Sequence, residues 1–159
     1  MHSLRPLNPQ DLEAVREVYR DAVLSQAPQL YTPEQVKAWA DVVLERSPLE
    51  TILAQGIGLA SCSGDGAVIE AFAVLEPADR ISLLYCRGRA SRQGRSTALL
   101  RALEALARGY GSRRLRTEAS FLSRSLFERE GWSVDWIEEL NIGSVPFRRF
   151  RMVKDLPSD

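Results

Sequence analysis

The sequence predicts one α/β domain of about six to seven strands and about four helices. A chain of 159 residues suits one hydrophobic core and is short for two. Hydrophobic residues make up 45% of it and charged residues 26%, a mix that excludes a disordered or fibrous chain. The spacing of the apolar residues switches between helical and strand periods in the order β-α-α-β-β-β-α-β-α-β-β.

The first part of the chain carries one weak strand and two helix starts. Residues 4–7 form a short edge strand at best, because the proline among them cannot donate to a β-ladder. Asn8 begins a helix that runs to about Ser25, with a proline at its first position. Thr32 begins a second helix, and Gln35 can reach back to the amide of Thr32, which predicts a capping box.

The middle of the chain is predicted to be an antiparallel meander. The second helix ends before Ser47, and from Thr51 the pattern changes to strands. Residues 57–62, 68–75 and 81–86 form three short apolar strands. Turns that contain glycine or proline join them, as is typical of neighbouring antiparallel strands.

The most regular helix of the chain, residues 98–107, follows a basic loop at residues 87–97. Its leucines share one face, Glu104 and Arg108 can pair along the outside, and Gly109 ends the helix. The remaining segments complete the order as a strand, a short helix and two closing strands, at residues 114–117, 124–129, 134–141 and 147–153.

Neither a membrane protein nor a secreted or metal-binding one is expected. No apolar run approaches the roughly 20 residues that a bilayer requires. The amino terminus lacks the basic and apolar regions of a signal peptide. The two cysteines, Cys62 and Cys86, are too few for a disulfide scaffold and lack metal-binding spacing. We therefore expect a cytoplasmic protein with no membrane partner and no metal site.

Charge is distributed unevenly along a chain whose net charge is zero. Residues 1–79 hold 12 acids and 5 bases, whereas residues 80–159 hold 9 acids and 16 bases. Residues 80–116 alone contain ten arginines and one acid. An anion would bind in this carboxyl half, although such a run can also be an ordinary solvated face. Nucleic acid is an unlikely partner, because no aromatic residues are interleaved with the arginines on a groove-facing element.

The start of the predicted helix at residues 98–107, just after the basic loop, offers a site for phosphates. A helix start has several backbone amides without a helical partner and about half a unit of positive charge. Gly94 would let a ligand approach the backbone closely, and nearby arginines would surround that ligand with positive charge, namely Arg87, Arg89, Arg92 and Arg95.

Three motifs in this part of the chain resemble those of the GNAT superfamily of N-acetyltransferases. Leu-Leu-Tyr-Cys at residues 83–86, then a loop, then Gly-Arg-Ser-Thr-Ala-Leu-Leu at residues 94–100, is similar to the family's acyl-CoA motif. Residues 115–120 resemble the strand that follows it, and Leu-Phe-Glu-Arg-Glu-Gly-Trp at residues 126–132 resembles the family's Phe/Tyr-Glu-Arg-x-Gly-Phe segment. The resemblance covers nearly the whole chain, and the motifs occur in the family's order.

The resemblance implies a GNAT fold, with a mixed central sheet whose fourth and fifth strands splay apart. Acetyl-CoA would be the acyl donor, with its pantetheine arm in the gap and its pyrophosphate on the amides of the basic loop. An acceptor amine would attack the thioester directly. A main-chain amide near Tyr85 or Cys86 would stabilise the oxyanion. The implied cofactor-binding residues are Leu84, Tyr85, Cys86, Arg92, Gln93, Gly94, Arg95, Ser96, Thr97, Ser120 and Phe127.

The chain departs from the family pattern at four positions. Ser91 stands where the family has Arg or Gln, Ser96 where it has Gly or Ala, and Ser82 where it often has Asp. Phe127 stands where many members have a tyrosine that protonates the leaving thiolate, and phenylalanine cannot donate a proton. A GNAT-shaped binding or regulatory module without efficient catalysis is therefore the alternative to an enzyme.

Glu118 and Tyr85 are the candidate catalytic side chains. Glu118 would be a general base if the strand turns it toward the gap, and is otherwise an exposed strand carboxylate. Tyr85 would be a proton donor, and is otherwise part of the core. Cys86 is expected to be a small apolar residue rather than a nucleophile, because no histidine lies near it in sequence. His2, at the terminus, is expected to carry no chemistry.

The acceptor side is predicted from the first half of the chain. Tyr31 and Trp39 lie in the region that the family folds over the acceptor and are the candidate substrate-binding residues, although Trp39 also fits the core. The nearby acids Glu34 and Asp41, in a half with seven excess negative charges, would suit a cationic amine. The sequence thus predicts an N-acetyltransferase for an unidentified small-molecule or peptide amine, and it is compatible with a homodimer.

Overall fold

The structure is a computed structural model that describes residues 3–45 and 47–157, so His2 lies outside the described residues. Within them are seven strands and five α-helices. The bounds are β1 Ser3–Pro6, α1 Leu12–Gln26, α2 Pro33–Ala40, α3 Ser47–Gln55, β2 Ile57–Cys62, β3 Ile69–Leu75, β4 Arg80–Cys86, α4 Arg95–Gly109, β5 Arg114–Ala119, α5 Arg124–Arg129, β6 Ser133–Ile142 and β7 Val145–Asp155.

The seven strands form one mixed sheet in the order β1-β2-β3-β4-β5-β7-β6. Strand β3 pairs antiparallel with both β2 and β4, which confirms the predicted meander. Strands β4 and β5 are parallel, as a crossover through the helix α4 requires. The fold class that the sequence predicts is therefore confirmed.

Strands β4 and β5 pair only at their beginnings and then separate. Their register contains two pairs, Arg80 with Arg116 and Ile81 with Thr117. Ser82, the next residue of β4, is skipped in the pairing with β3 and forms a bulge there. Because neither strand finds a ladder partner in the other beyond this point, the sheet opens into a gap at their carboxyl ends, as the resemblance implies.

The strand β3 lies at the centre of the core, with helices on both faces of the sheet. All seven of its residues are buried. Phe72 and Val74 pack into the cluster formed by α1, α2 and α3. Ala71 and Ala73 point to the other face, where the leucines of α4 pack on them. The small alanine side chains let α4 lie close to the sheet, and α4 thereby holds its first residues beside the end of β4.

Both predicted helix starts are confirmed. The side chain of Asn8 accepts a hydrogen bond from the amide of Gln10, at the start of a 3-10 turn that leads into α1. Thr32 and Gln35 form the reciprocal capping box at the start of α2. These signals depend on residues within one turn of each other, so they can be read without knowledge of the tertiary structure.

The prediction that strand structure begins at Thr51 is wrong. Residues 47–55 form the helix α3, and strand β2 begins at Ile57. Leu49 and Leu53 are buried and lie four residues apart, on one face of the helix. The β-branched residues between them gave the segment its strand-like composition, and packing against the core outweighs that weak preference.

Glu104 is not on the outside of α4 as predicted. Its side chain is buried, with Oε1 2.6 Å from Nζ of Lys154 and Oε2 accepting a hydrogen bond of 3.2 Å from Nε1 of Trp132. The carboxylate therefore ties α4 to β7 and to the segment after α5. Its partners lie 28 and 50 residues away in sequence, so helical spacing alone could not identify them.

Neither a membrane-spanning helix nor a cluster of metal ligands occurs among the described residues. No helix among them combines the length and the apolar character that crossing a bilayer demands. No three side chains of His, Cys, Asp or Glu in residues 3–45 and 47–157 are grouped as metal ligands would be.

Candidate functional site

The gap between β4 and β5 opens into a cavity of about 230 Å³. It brings together most of the residues that the sequence predicts for the site, namely Tyr31, Trp39, Leu84, Tyr85, Cys86, Ser96, Glu118, Ser120 and Phe127. The other predicted residues of the basic loop, Arg92, Gln93, Gly94, Arg95 and Thr97, do not line it. The cavity thus joins the predicted donor side, at the start of α4, to the predicted acceptor side, beneath α1 and α2.

The backbone of β4 faces the gap at alternate residues. The amide of Arg87 bonds to the carbonyl of Glu70 at 2.8 Å, so the antiparallel ladder with β3 alternates from that pair. The backbone groups of Tyr85 consequently point to β3, and those of Leu84 and Cys86 point into the gap. Of the two amides proposed for an oxyanion, only that of Cys86 faces the gap.

One gap-facing carbonyl of β4 already has a partner. The side-chain amide Nε2 of Gln26, at the end of α1, donates a hydrogen bond of 2.7 Å to the carbonyl oxygen of Cys86. The gap-facing backbone groups of Leu84 and the amide of Cys86 have no such partner among the described residues. An extended ligand could therefore pair with this edge as an added strand would.

The start of α4 is open to a ligand, as predicted. Gly94 has φ +81°, a left-handed conformation that favours glycine, and no atom lies within 4 Å of where its Cβ would be. The first bond of the helix runs from the amide of Ala98 to the carbonyl of Gly94. The amides of Arg95, Ser96 and Thr97 precede it and have no helical partner, so they form a cradle that fits a diphosphate.

The side chain of Arg95 does not face this cradle, so its predicted place in the ring of arginines around a phosphate is wrong. It is buried under the sheet, where Nη1 donates to the Ser61 hydroxyl and to the Cys62 carbonyl, both at 3.0 Å. Its Nε atom is buried without a hydrogen-bond partner. Arg95 therefore anchors the first turn of α4 to β2, and only its backbone belongs to the ligand-facing surface.

Two other arginines of the predicted basic ring are occupied by acids from the first half of the chain. Arg87 is buried and pairs with Glu17 at 2.9 Å. Arg89 pairs with Glu70 at 2.6 Å, and this guanidinium lowers the pKa of the Glu70 carboxyl. Arg92 is exposed at the loop. Of the predicted ring of four arginines, Arg92 alone is neither buried nor paired with an acid among the described residues, so the predicted phosphate site would consist mainly of backbone amides.

Tyr85 is packed among aromatic rings on the α1 side of β4. Its ring lies 4.3 Å from that of Tyr19, and its hydroxyl accepts a hydrogen bond of 3.2 Å from Nε1 of Trp39. Burial raises the pKa of Tyr85, and the hydrogen bonds of Trp39 and Tyr19 and the positive charge of Arg149 partly oppose the rise. The hydroxyl therefore keeps its proton at neutral pH.

Glu118 turns toward the cavity, and only 9% of its side chain is exposed. Oε2 accepts a hydrogen bond of 3.0 Å from Nε of Arg80, and Oε1 lies 3.7 Å from Nη1 of Arg151. The carboxylate is thus oriented by two guanidiniums. This arrangement differs from the exposed strand carboxylate that was the alternative interpretation.

Ser120 and Tyr31 hold the turn between β5 and α5. The Ser120 hydroxyl accepts hydrogen bonds from the amides of Leu122 and Ser123, at 3.1 and 3.2 Å. The Tyr31 hydroxyl accepts one of 2.9 Å from the amide of Phe121. Burial raises the pKa of Tyr31, so this phenol stays neutral. Tyr31 therefore connects the turn before α2 to the far side of the gap.

Two other predicted cofactor contacts are buried in the wall of the cavity. Burial raises the pKa of the Cys86 thiol to about 11, so it stays protonated and unreactive at neutral pH, as expected of a small apolar residue. Phe127 is fully buried and packs edge-on against Trp132, with ring centroids 5.0 Å apart.

The acids that the sequence places near the acceptor are not part of the cavity. Asp41 pairs on the other side of α2 with Lys37 at 2.6 Å and with Arg20 at 3.3 Å, and Glu34 is exposed and does not line the cavity. The expectation that these two acids lie beside the acceptor therefore does not agree with the lining of the cavity. The side chains that sequence reasoning missed include three from β7, where Phe147, Arg148 and Arg149 line the cavity. No local motif marks them, because β7 reaches the gap only through its pairing with β5.

No protein-family model and no curated protein sequence matches this chain. Solved structures do match it. A GCN5-related N-acetyltransferase from Rhodopseudomonas palustris has a TM-score of 0.93 at 24% identity, over 98% of this chain and 96% of its own. The PaiA N-acetyltransferase from Thermoplasma acidophilum, solved with coenzyme A, has a TM-score of 0.75 at 18% identity, over 98% and 99%. YncA from Salmonella typhimurium, solved with its cofactor acetyl-CoA, has a TM-score of 0.65 at 17% identity, over 100% and 96%. These likenesses establish the fold of the chain.

Proposed function

The chain has the GNAT fold, as its three motifs predicted, and from this we propose that the protein is an N-acetyltransferase. The donor is acetyl-CoA, and an amine of the acceptor attacks its thioester directly. The observation that carries the proposal is the separation of β4 from β5 beside an open helix start. Two of the similar structures were solved with coenzyme A or acetyl-CoA, which supports this donor.

The backbone of the described residues offers hydrogen bonds that suit acetyl-CoA as the donor. Gap-facing groups of Leu84 and Cys86 offer hydrogen bonds to the amides of a pantetheine arm. The amides that follow Gly94 offer a cradle for the diphosphate, and the missing Cβ leaves room for it. Ser96 lines the cavity at this cradle, so its hydroxyl can contribute a further hydrogen bond. When bound, acetyl-CoA supplies an activated acetyl thioester.

The chain itself supplies positioning and proton transfer. The cavity holds the acceptor beside the end of β4, and holding two reactants together accounts for much of the rate of such a reaction. The amide of Cys86 stabilises negative charge on the carbonyl oxygen. Glu118 would take a proton from the acceptor amine, directly or through water, as the new N–C bond forms. The protonated Tyr85 hydroxyl would give its proton to the sulfur that departs when the thioester C–S bond breaks, so that CoA leaves as the free thiol.

Binding and turnover of acetyl-CoA test this function. Calorimetry measures the dissociation constant of acetyl-CoA, and a thiol reagent follows the release of free CoA with amines present. Saturable binding together with amine-dependent CoA release is the expected result. Absence of binding at millimolar acetyl-CoA would contradict the proposal and would favour a binding or regulatory module of the same fold.

Gly94→Glu tests the diphosphate cradle. We expect it to weaken acetyl-CoA binding by at least about 100-fold, because the new carboxylate lies against the diphosphate. Gly94→Gln is the matched variant, since it carries the same backbone strain without the charge. Gly111→Glu is the control, because Gly111 also has a positive φ and open space but lies beyond the other end of α4. Equal affinity of Gly94→Glu and Gly94→Gln would show that the diphosphate binds elsewhere.

A further inference from the structure

The acceptor end of the cavity has an aromatic wall and a basic rim. The wall contains Tyr31, Trp39 and Phe147, with the ring of Tyr31 5.2 Å from that of Trp39 and 6.1 Å from that of Phe147. The strand β7 adds two cations to the lining, Arg148 and Arg149. A molecule that enters from this side therefore meets apolar ring surfaces and guanidinium groups together.

The charged groups around this end carry a net positive charge. Glu118 is the one carboxylate that lines the cavity in residues 3–45 and 47–157, and Arg80 and Arg151 hold it. Glu138 is in turn shared by Arg149 and Arg151. Three guanidiniums thus surround two carboxylates, which leaves one excess positive charge beside the cavity. A purely cationic acceptor would be repelled there rather than attracted.

Arg149 has hydrogen-bonding capacity to spare. Its Nε atom donates to Glu138, and its two Nη atoms have no hydrogen-bond partner in the part of the chain that the structure describes. Its side chain is only 31% exposed, and its charge acts on the buried hydroxyl of Tyr85. Arg148 lies further out, with 55% of its side chain exposed and Glu139 as its partner. Arg149 is therefore the guanidinium best placed to bind an anionic group inside the cavity.

We propose that the acceptor is a small primary amine that also carries a carboxylate and an apolar side chain, as an apolar amino acid does. Arg149 binds the carboxylate through hydrogen bonds from its two Nη atoms. Such paired hydrogen bonds make guanidinium–carboxylate contacts stronger and more specific. The apolar side chain packs on the wall of Tyr31 and Trp39, and the amine points to the end of β4. This inference rests on the proposed function and specifies its acceptor.

Matched pairs of acceptors test the carboxylate requirement. The pairs are L-leucine with isoamylamine and L-phenylalanine with phenethylamine, which differ only in the carboxylate. We expect the amino acid of at least one pair to have a kcat/KM for acetylation at least about tenfold above that of its partner. Binding is measured separately by calorimetry of N-acetyl-L-phenylalanine and N-phenethylacetamide in the presence of CoA, and only the first should bind.

Variants of Arg149 assign the effect to this residue. Arg149→Met should raise KM for the amino acid by at least about tenfold with a smaller change in kcat, and should abolish the preference over the decarboxylated amine. Arg149→Lys should retain part of the preference, because lysine keeps the positive charge but lacks the two guanidinium N–H groups that bind a carboxylate side by side. Arg116→Met is the control. This substitution also breaks an ion pair, the one between Arg116 and Asp79, but Arg116 does not line the cavity.

Several results would overturn the inference. It is wrong if the decarboxylated amines react as well as the amino acids, if neither carboxylate probe binds nor reacts, or if Arg149→Met leaves the preference unchanged. Failure of the proposed function gives a different pattern, because acetyl-CoA would then not bind while Arg149-dependent binding of N-acetyl-L-phenylalanine could persist. Thermal unfolding of each variant separates loss of the site from loss of the fold.

Discussion

Tyr85 and Glu118 face the same cavity but differ in what their neighbours leave them able to do. The Tyr85 hydroxyl accepts from Trp39 and keeps its proton, because burial raises its pKa. In the proposed reaction it can donate that proton to the leaving thiolate. Glu118 has only acceptor oxygens, and Arg80 and Arg151 orient them. A base needs one of these lone pairs to face the amine or a bridging water.

Glu118→Gln tests the role of this carboxylate as a base. We expect kcat/KM to fall by at least about 100-fold, because the amide cannot accept the proton, with the dissociation constant of acetyl-CoA nearly unchanged. Glu130→Gln is the matched control, because Glu130 is also a largely buried carboxylate paired with an arginine, Arg101, and does not line the cavity. Equal losses in both variants, or an unchanged kcat/KM for Glu118→Gln, would assign Glu118 a structural role alone.

At the scale of elements, the hairpin of β6 and β7 is held by ion pairs that also shape the cavity. Glu138 lies opposite Arg149 in the register of the two strands and accepts hydrogen bonds from Arg151, at 3.0 and 2.8 Å. These two guanidiniums lower the pKa of Glu138 to about 2. Glu139, on the opposite face of β6, pairs with Arg148 in solvent. Neighbouring carboxylates in one strand are therefore expected to contribute very differently to the free energy of unfolding.

Glu138→Gln is expected to lower the free energy of unfolding at neutral pH by about 1–3 kcal/mol. A depressed pKa contributes stability that is present above the usual glutamate value of 4.5 and is lost as the pH falls toward about 2. The difference from the wild type should therefore shrink between about pH 5 and about pH 3. Urea unfolding at several pH values measures it.

Glu139→Gln is the control for this experiment, with an expected loss below about 0.5 kcal/mol because the pair is exposed. A pH-independent difference between Glu138→Gln and the wild type would mean that the lost packing, rather than the charge, accounts for the destabilisation.

At the scale of the whole molecule, the two oppositely charged halves of the chain neutralise each other. Arg87 pairs with Glu17, Arg89 with Glu70 and Arg116 with Asp79. Part of the basic excess that the sequence shows in its second half is therefore paired with acids of the first half. These pairs leave the proposed phosphate cradle dependent mainly on backbone amides.

Alkaline pH is expected to destabilise the whole domain. Burial raises the pKa values of Tyr19, Tyr31 and Tyr85 above 10.0, and that of Cys86 from 9.0 to about 11. The unfolded chain releases these protons first, so stability present at neutral pH is lost as the pH rises past about 9, by on the order of 1 kcal/mol per pH unit for each such group. Urea unfolding between about pH 8 and about pH 10.5 measures the loss.

Tyr19→Phe provides the matched variant for this measurement. It removes one buried phenol and should make the loss between these pH values smaller, since one proton fewer is then released on unfolding. A free energy of unfolding that stays constant up to about pH 10.5 in the wild type would contradict the prediction.

Local signals in the sequence predicted much of the fold and part of the candidate site. The caps at Asn8 and Thr32 and the open start of α4 at Gly94 depend on neighbouring residues, so they could be read directly. The helix α3 could not, because Leu49 and Leu53 show their helical role only when the core is known. The direction of Arg95 could not be read either, since its partner Ser61 is 34 residues away.

The sequence by itself determined the order of the elements except for the helix α3, the open helix start proposed to bind an anion, and the resemblance from which the gap between the fourth and fifth strands was expected. Only the tertiary structure decided which charges face that gap. The spacing of residues along a helix or strand indicates which side of that element a residue occupies. The ion-pair partner of a guanidinium or carboxylate, however, lies on another element and is fixed only when the sheet is assembled. That choice placed Arg149, rather than Glu34 or Asp41, beside the proposed acceptor.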